Sequence, residues 1–555
     1  MKQSINLFFH SYVAAVCMGG LLGILCFLCT YGTAVLNPTF DSWIFSSGGD
    51  LAQHYIGWLF FRDTPWRFPF GLTEGLIHDT AVSCMFTDSI PLLALPFKLL
   101  SPVLPETFQY IGLWELLCFA AQGALAAAIL YRLRPSVLFC GMGSLLYILS
   151  PAVFQRAFHH EALSGHWVIL LALLLWMRQK YQSGIRTSAL LWSLCSVLAV
   201  LTHLYYLPMI FLLMAGAALT DVFLFRNCKR ALVCIGVSAF SALLTLYGLG
   251  AFYGESHLLA GGLGRYSANL NCLWNSMGYS RFLEKLPYRS GQTEGLGYLG
   301  LGALLAVGAA FLAGAYWILR RRSSLKKHFS TYGWELLAGS IVLLADVFLA
   351  VSPICTFGET VLYQISYPPA VQILLSMFRA SGRFIWVAGY LILTAALGIW
   401  GRCFGKRLLA CAAVLCACVQ IADLSSVIAQ RQQRFFMPEP YVSPLSDPLW
   451  EELAEEHTEI IFLPLEQDYL KKKEKYFVFA EFAHRHGMSL SSFYLARASF
   501  DAMSSFAQEE MQRLAAGRGN PEALYLFEVR TDVPDAPNLN IYEIDGYTVV
   551  CVKEM

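Results

Sequence analysis

The residues best suited to chemistry follow the first apolar run, in the stretch "GGDLAQHYIGWLFFRDTPWRFPFG", Gly48 to Gly71. Asp50 and His54 are four residues apart, so a helix here would put both on one face. A carboxylate so placed can take the proton of an attacking hydroxyl, and the preceding "SSGG" lets the backbone turn closely beside Asp50. Arg62 lies three turns on, and Trp58 is one of several aromatics interleaved with the ionisable groups. The same loop supplies Asp41, Asp63, Glu74, His78, Asp79 and Asp88. Asp63 beside Arg62, and Asp79 beside His78, read as structural pairs. The competing reading of the whole stretch is a salt-bridge network that ties the loop to the rest of the protein.

Two further clusters carry ionisable groups. "QRAFHHEALSGH" holds Arg156, His159, His160, Glu161 and His166, and "THLYYLP" holds His203. "HHE" lacks the i,i+4 histidine pair of a zinc helix, so these imidazoles read as hydrogen-bonding groups and no metal is assigned. "MFRASGRFIW" sets Arg379 and Arg383 four apart at the mouth of an apolar run. Two guanidiniums at that helical spacing repel slightly unless an anion lies between them. Their planar forks match a phosphate, and at a membrane the nearest phosphate belongs to a lipid. The alternative is simple snorkelling toward ordinary headgroups.

The elements that must hold these residues are membrane helices. Of 555 residues, 57% are hydrophobic and only 14% are charged, whereas a soluble domain carries about a quarter charged. A net charge of +1 leaves no basic footprint for nucleic acid. Most of the sixteen cysteines sit inside apolar runs, where they act as small hydrophobes, and no two pairs have zinc-type spacing. The N-terminus has no small-residue cleavage site after a short core and reads as a retained first span.

Apolar runs fall at 11–36, 109–131, 137–151, 166–177, 188–203, 206–225, 231–252, 297–319, 333–352, 384–400 and 408–424. Basic residues gather at every second connection: Arg132 and Arg134, then Arg178, Lys180 and Arg186, then Arg226, Lys229 and Arg230, then Arg320–Lys327, then Arg402, Lys406 and Arg407. The positive-inside rule makes those loops cytoplasmic. It also keeps the proline-broken run Phe86–Pro105 on the outer face as a juxtamembrane or re-entrant helix. The expectation is about eleven spans in a plasma membrane, with the N-terminus inside and the C-terminus outside. The outer loops are then 37–108, 152–165, 253–296 and 353–383. The first two runs of chemistry and the arginine pair all face outward.

The fold class is mainly α, a polytopic membrane domain at 1–425 with the large first loop 37–108, followed by a small α/β domain at 426–555. In the tail, "EIIFLPL", "ALYLFEV" and "IYEIDGYTVVCV" read as short buried strands with two helical stretches between them. It has no phosphate loop or nucleophile elbow, so it reads as an accessory cap.

A first span followed by a large outer loop with an early Asp, surface helices, many spans and an outer C-terminal domain together resemble the glycosyltransferase C (GT-C) superfamily. More narrowly, Gly48–Gly71, "FTDSIPLLALPFKLL" and "FRASGRFIW" look like stretches of a bacterial multi-pass family assigned to it. The resemblance implies transfer of a sugar from a polyprenyl-phosphate or polyprenyl-diphosphate donor to an acceptor glycan, lipid or protein of the cell envelope. The superfamily's first-loop acid carries over onto Asp50, although "GGDLA" has one Asp where a paired motif is common. Arg379 and Arg383, with Arg62 as a third, would stabilise the leaving lipid phosphate. Trp58, Asp88, His159, His160, Glu161 and His203 are the further substrate-binding candidates, and His54 accompanies Asp50. The scheme is a single inverting displacement that requires no metal or cofactor.

Three rivals stand beside it. A lipid or polysaccharide transporter would place its site on broken mid-membrane helices and often shows internal repeats, and no repeat is visible. A non-catalytic envelope assembly protein would work through the tail. An acyl or phosphoglycerol transferase would want a nucleophile or a metal, and none stands out.

Overall fold

The computed structural model describes residues 2–179, 184–254, 262–320, 325–465, 473–495, 500–536 and 538–553. Among these, eight helices are long and apolar enough to cross a membrane: Ser11–Tyr31, Ile111–Leu133, Glu161–Arg178, Ile185–Thr202, Tyr206–Phe223, Cys228–Gly248, Leu301–Arg320 and Ser381–Cys403. A bent pair, Lys406–Asp423 and Ser425–Phe435, meets at 57°, and Val137–Ile148 and Leu336–Val351 are shorter apolar helices. All eleven expected runs therefore fall on helices, eight of them of spanning length, as befits a multi-pass membrane protein. Of the expected basic loops, Lys180 and residues 321–324 lie outside the described residues. In the run Phe86–Pro105, only Pro91–Leu99 is α-helical, too short to span.

The chain forms two compact units that do not follow sequence order. The first comprises Met1–Asn37, Tyr110–Leu244 and Leu259–Pro438. One close helix pair in it is built by glycine. Gly19 and Gly23, one turn apart on the first helix, face Gly123 and Phe119 on Ile111–Leu133. A Cβ on Gly19 would lie 2.3 Å from the Gly123 carbonyl oxygen, and one on Gly123 would lie 2.1 Å from that of Gly19. Without a side chain on either, the two backbones touch, a common membrane solution because lipid offers no hydrophobic drive to bring helices together. Polar irregular chain between Gly262 and Gly300 is held by its own amides: Asn269 Nδ2 donates to Gln292 Oε1 (2.9 Å) and to the Gly358 carbonyl (2.7 Å). Gln292 in turn donates to Thr356 (2.7 Å). That lattice fixes the 3₁₀ turn Gln292–Gly295.

The second unit comprises Pro38–Gln109, Thr245–Leu258 and Glu439–Met555. Its sheet runs Ser489–Leu490, Glu459–Phe462, Ala523–Phe527, Tyr547–Val552, Leu539–Ile544, with the first three strands parallel and the last three antiparallel. The expected strands are present, but "IYEIDGYTVVCV" is two of them. Asp545 (φ 48°) and Gly546 (φ 81°) make a two-residue reversal inside it, the backbone signature of a type I′ hairpin. The core of this unit joins the tail to the first loop: Ala52, Ile56, Phe60, Leu76 and Ile77 are buried with Ile460, Phe462, Phe479 and Leu490. His484 Nε2 lies 2.9 Å from Asp63, and His78 Nδ1 lies 2.7 Å from Glu459. Asp63 thus meets His484 of the tail where its sequence neighbour Arg62 was expected, and His78 meets Glu459 as well as the expected Asp79.

Candidate functional site

In the second unit, Gly48 (φ 61°, ψ −160°) occupies a conformation open essentially to glycine alone and turns the chain into the helix Gly49–Asp63. Asp50 falls in its first turn and His54 one turn later, so the expected helical spacing is realised. His54 is buried, and its Nε2 lies 3.7 Å from Asp88. Ser89 Oγ donates to the His54 carbonyl at 3.3 Å, and Thr87 and Ser89 share a 2.6 Å hydrogen bond. Asp50, His54 and Asp88 thus belong to one neighbourhood. Asp41, which accepts a 2.9 Å bond from Tyr55, is a further carboxyl that burial pushes up from its ordinary range.

Arg62 lies away from Asp50, whereas Trp58 follows His54 by one helical turn. At the 1.5 Å helical rise, Arg62 lies about 18 Å along the axis from Asp50. Its Nη1 donates to the Glu106 carbonyl at 2.6 Å. Trp58 is 1% exposed and donates to the Phe108 carbonyl at 3.0 Å. Both hold the loop to itself. Lys98 does likewise, its ammonium 4.0 Å from the Phe61 ring centroid and lowered by burial to about 8.

In the first unit, the arginine pair takes a form that its spacing did not foretell. The helix Pro369–Ser376 ends before Arg379, and Ser381–Phe384 is a 3₁₀ turn, so the two guanidiniums do not share an α-helical face. Gly382 permits this path: its N–H donates to the Tyr266 carbonyl at 2.9 Å, and a Cβ there would lie 2.7 Å from Gly295 Cα. The close approach carries Arg383 onto Glu294. Arg383 Nη2 and Nε lie 2.7 Å and 2.8 Å from Glu294 Oε2. Arg156, 1% exposed, reaches the same oxygen at 3.0 Å. Two buried guanidiniums therefore share one carboxylate. Burial pushes the Glu294 carboxyl up, but Arg156 and Arg383 overcome this and hold it well below the usual carboxylate range.

The aromatic surround is cationic as well. Arg383 lies 4.5 Å from the Tyr205 centroid and Arg156 5.5 Å from that of Trp386. Arg379 and Arg265 each lie 5.6 Å from the Tyr266 centroid. Among the described residues neither of these two has a salt-bridge partner. Four guanidiniums and one carboxylate leave a surplus of positive charge, the condition for holding an anion. Sequence reasoning named Arg379, Arg383 and Arg156 but missed Glu294 and Arg265, which sit in a loop with no periodicity to mark them.

The histidine cluster is also in the first unit. Glu161 is fully buried and its carbonyl accepts the Trp114 Nε1–H at 2.8 Å. The rings of His160 and His203 lie 5.4 Å apart, edge to face, and His203 Nδ1 accepts the Tyr205 N–H at 3.1 Å. His159 is exposed. His203 thus joins the arginine cluster through Tyr205. His166, buried and within 2.8 Å of the Tyr390 hydroxyl, belongs to the bundle interior.

Residues 20–425 match a family described as a domain of unknown function, DUF6311, and residues 449–553 match its C-terminal domain. The chain belongs to the DUF6311 family. No curated protein matches this DUF6311 chain significantly. Among solved structures, it is similar to the apo crystal structure of the Archaeoglobus fulgidus oligosaccharyltransferase, at 12% identity and a TM-score of 0.45 over 93% of this chain and 69% of that one.

Proposed function

We propose that this DUF6311 protein is an integral-membrane glycosyltransferase that moves a sugar from a polyprenyl-phosphate-linked donor to an acceptor on the outer face of the membrane. The observation that carries the reading is the arginine-rich cluster around Glu294. It is an anion-holding arrangement, with aromatic walls, in a chain whose other candidate residues are a carboxylate and imidazoles. The resemblance of the first loop and of "FRASGRFIW" to GT-C stretches supports the same reading.

In this mechanism the acceptor hydroxyl attacks the anomeric carbon and loses its proton to Asp50. The bond from that carbon to the phosphate oxygen breaks, and the electron pair leaves with the lipid phosphate. Arg379 and Arg383 hold the charge that develops there. His54 and Asp88 accompany Asp50, and His160 and His203 accompany the arginines. A lipid phosphate is already a good leaving group, so the scheme needs no general acid. One displacement gives inversion.

The test is mass spectrometry of surface glycans and lipid-linked sugars. It compares a strain lacking the protein with strains complemented by wild type, Asp50→Asn or Arg379→Gln at matched protein levels. The expected result is loss of one sugar from the surface, accumulation of its lipid-linked donor, and failure of both variants to restore it. Unchanged glycans in the deletion strain, or full rescue by both variants, would overturn the proposal.

A further inference from the structure

The second unit contains a cleft of about 840 Å³, bordered by the hairpin Leu72–Ile77/Thr80–Ser83 and the tail. Its volume lies within the roughly 300–1,000 Å³ of small-molecule sites. It has room for more than one pyranose ring.

Its wall is rigid and its charge is one-sided. The His78 ring stacks on Phe506 with centroids 4.0 Å apart and planes at 18°. The same ring lies 2.7 Å from Glu459 and 3.4 Å from Asp79. Its backbone N–H donates to the Ser491 carbonyl at 3.3 Å. Arg67 pairs with Glu74 across the lining, which neutralises both. Even with His78 protonated against Glu459, Asp79 and Glu522 leave the cleft negative. Thr80 and Asn520 line it together with Ile77, Val82 and Leu495, and so does Tyr253, which is 45% exposed.

We propose that this cleft binds a neutral or amino-bearing saccharide. Carboxylates and hydroxyls accept and donate to sugar hydroxyls, apolar strips meet the C–H faces, and an exposed tyrosine stacks on a ring face. The negative surplus disfavours phosphorylated, sulfated or uronic polymers by like-charge repulsion. An ammonium on an amino sugar would be attracted. The binding reading is separate from the transfer reading, because it needs neither Asp50 nor the arginine cluster.

The experiment uses the full chain in lipid nanodiscs on a glycan array. The array carries neutral hexose, N-acetylglucosamine and glucosamine oligomers, sulfated and uronic oligomers, and a lysine-rich peptide. The neutral or amino-bearing oligomers are expected to bind, with affinity at least tenfold weaker in Glu522→Gln and in Tyr253→Ala. Both side chains are exposed, so these variants are expected to keep the fold of the wild type, checked by thermal melting. The Asp50→Asn protein is expected to bind the same glycans, which separates this proposal from the transfer reading. Binding of anionic glycans alone, binding of the peptide alone, no binding, or affinities within twofold of wild type in both variants would overturn it.

Discussion

Replacing Glu294 with Gln removes the one carboxylate that Arg156 and Arg383 share while keeping the side-chain volume. Both guanidiniums then lose the carboxylate they share while staying close together, Arg156 at 1% exposure and Arg383 at 8%. Breaking a buried pair by removing one partner costs about 3–5 kcal/mol. Gln retains one acceptor oxygen, and the Glu294 side chain is 25% exposed, so the low end, about 3 kcal/mol, is the expected loss. At 1.36 kcal/mol per decade this is roughly a 150-fold shift in the folded-to-unfolded ratio. Removing Arg383 as well, as Glu294→Gln/Arg383→Gln, should recover much of that loss, because one guanidinium with two amide neighbours is better off than two guanidiniums with one.

The pH dependence has a definite sign. The folded carboxyl titrates below its unfolded value of about 4.3. Its stabilisation is therefore fully present above that value and is lost as the pH falls toward the folded one. The gap between wild type and Glu294→Gln should be flat from pH 6 to 8 and should shrink below about pH 4.3. Equilibrium unfolding in detergent micelles, followed by near-ultraviolet circular dichroism, measures both. An anion adds a third readout: pyrophosphate should raise the melting temperature of Glu294→Gln more than that of wild type, because the surplus charge is larger. A variant within about 0.5 kcal/mol of wild type, an error-sized difference, would refute the reasoning. So would a double variant no more stable than the single one.

Three other outcomes follow from the geometry. Gly123→Val should prevent the first helix from docking on Ile111–Leu133, and the accumulated full-length protein should fall sharply on immunoblots of membranes. Arg62→Ala should cost about 1.5–3 kcal/mol, the range for hydrogen bonds to a charged group, while leaving the pyrophosphate response of the arginine cluster unchanged. Asp545→Ala should loosen the segment Ser446–Trp450, since Asp545 accepts from the Ser446 and Asp447 N–H groups and from Trp450 Nε1. Those backbone donors hold its carboxyl below the ordinary range. Hydrogen exchange at residues 446–450 should therefore be faster in the variant, and in wild type should quicken, relative to intrinsic rates, only as the pH falls through the carboxyl's depressed value.

Much of this was legible in the sequence because local periodicity carries it. The apolar runs became helices, the i,i+4 spacing of Asp50 and His54 was honoured, and three apolar segments of the tail became strands. The failures have physical causes. "DG" inside an apolar run was passed over, yet positive φ at both residues turns one expected strand into a hairpin. The spacing of Arg379 and Arg383 suggested a helix, but Gly382 lets the chain press against Gly295 and leave the helical path. Glu294 lies 89 residues from Arg383 in sequence, in a loop shaped by buried amides, and no local pattern could join them. The same is true of His78 and Glu459, 381 residues apart.

The second unit's composition from the start and the end of the chain also governs how it is made. Its first segment ends at Gln109 and its last begins at Glu439. At 5–20 residues per second, translation takes on the order of half a minute to cover that interval. During it, Ile56, Phe60, Leu76 and Ile77 have been synthesised, but the strands and helices that bury them have not. The nascent first loop must therefore be shielded, by lipid or by a chaperone, until the tail arrives. A chain that stops at Pro438 loses more than its last domain, since the carboxylate and imidazole of the first loop are left on an unfinished fold.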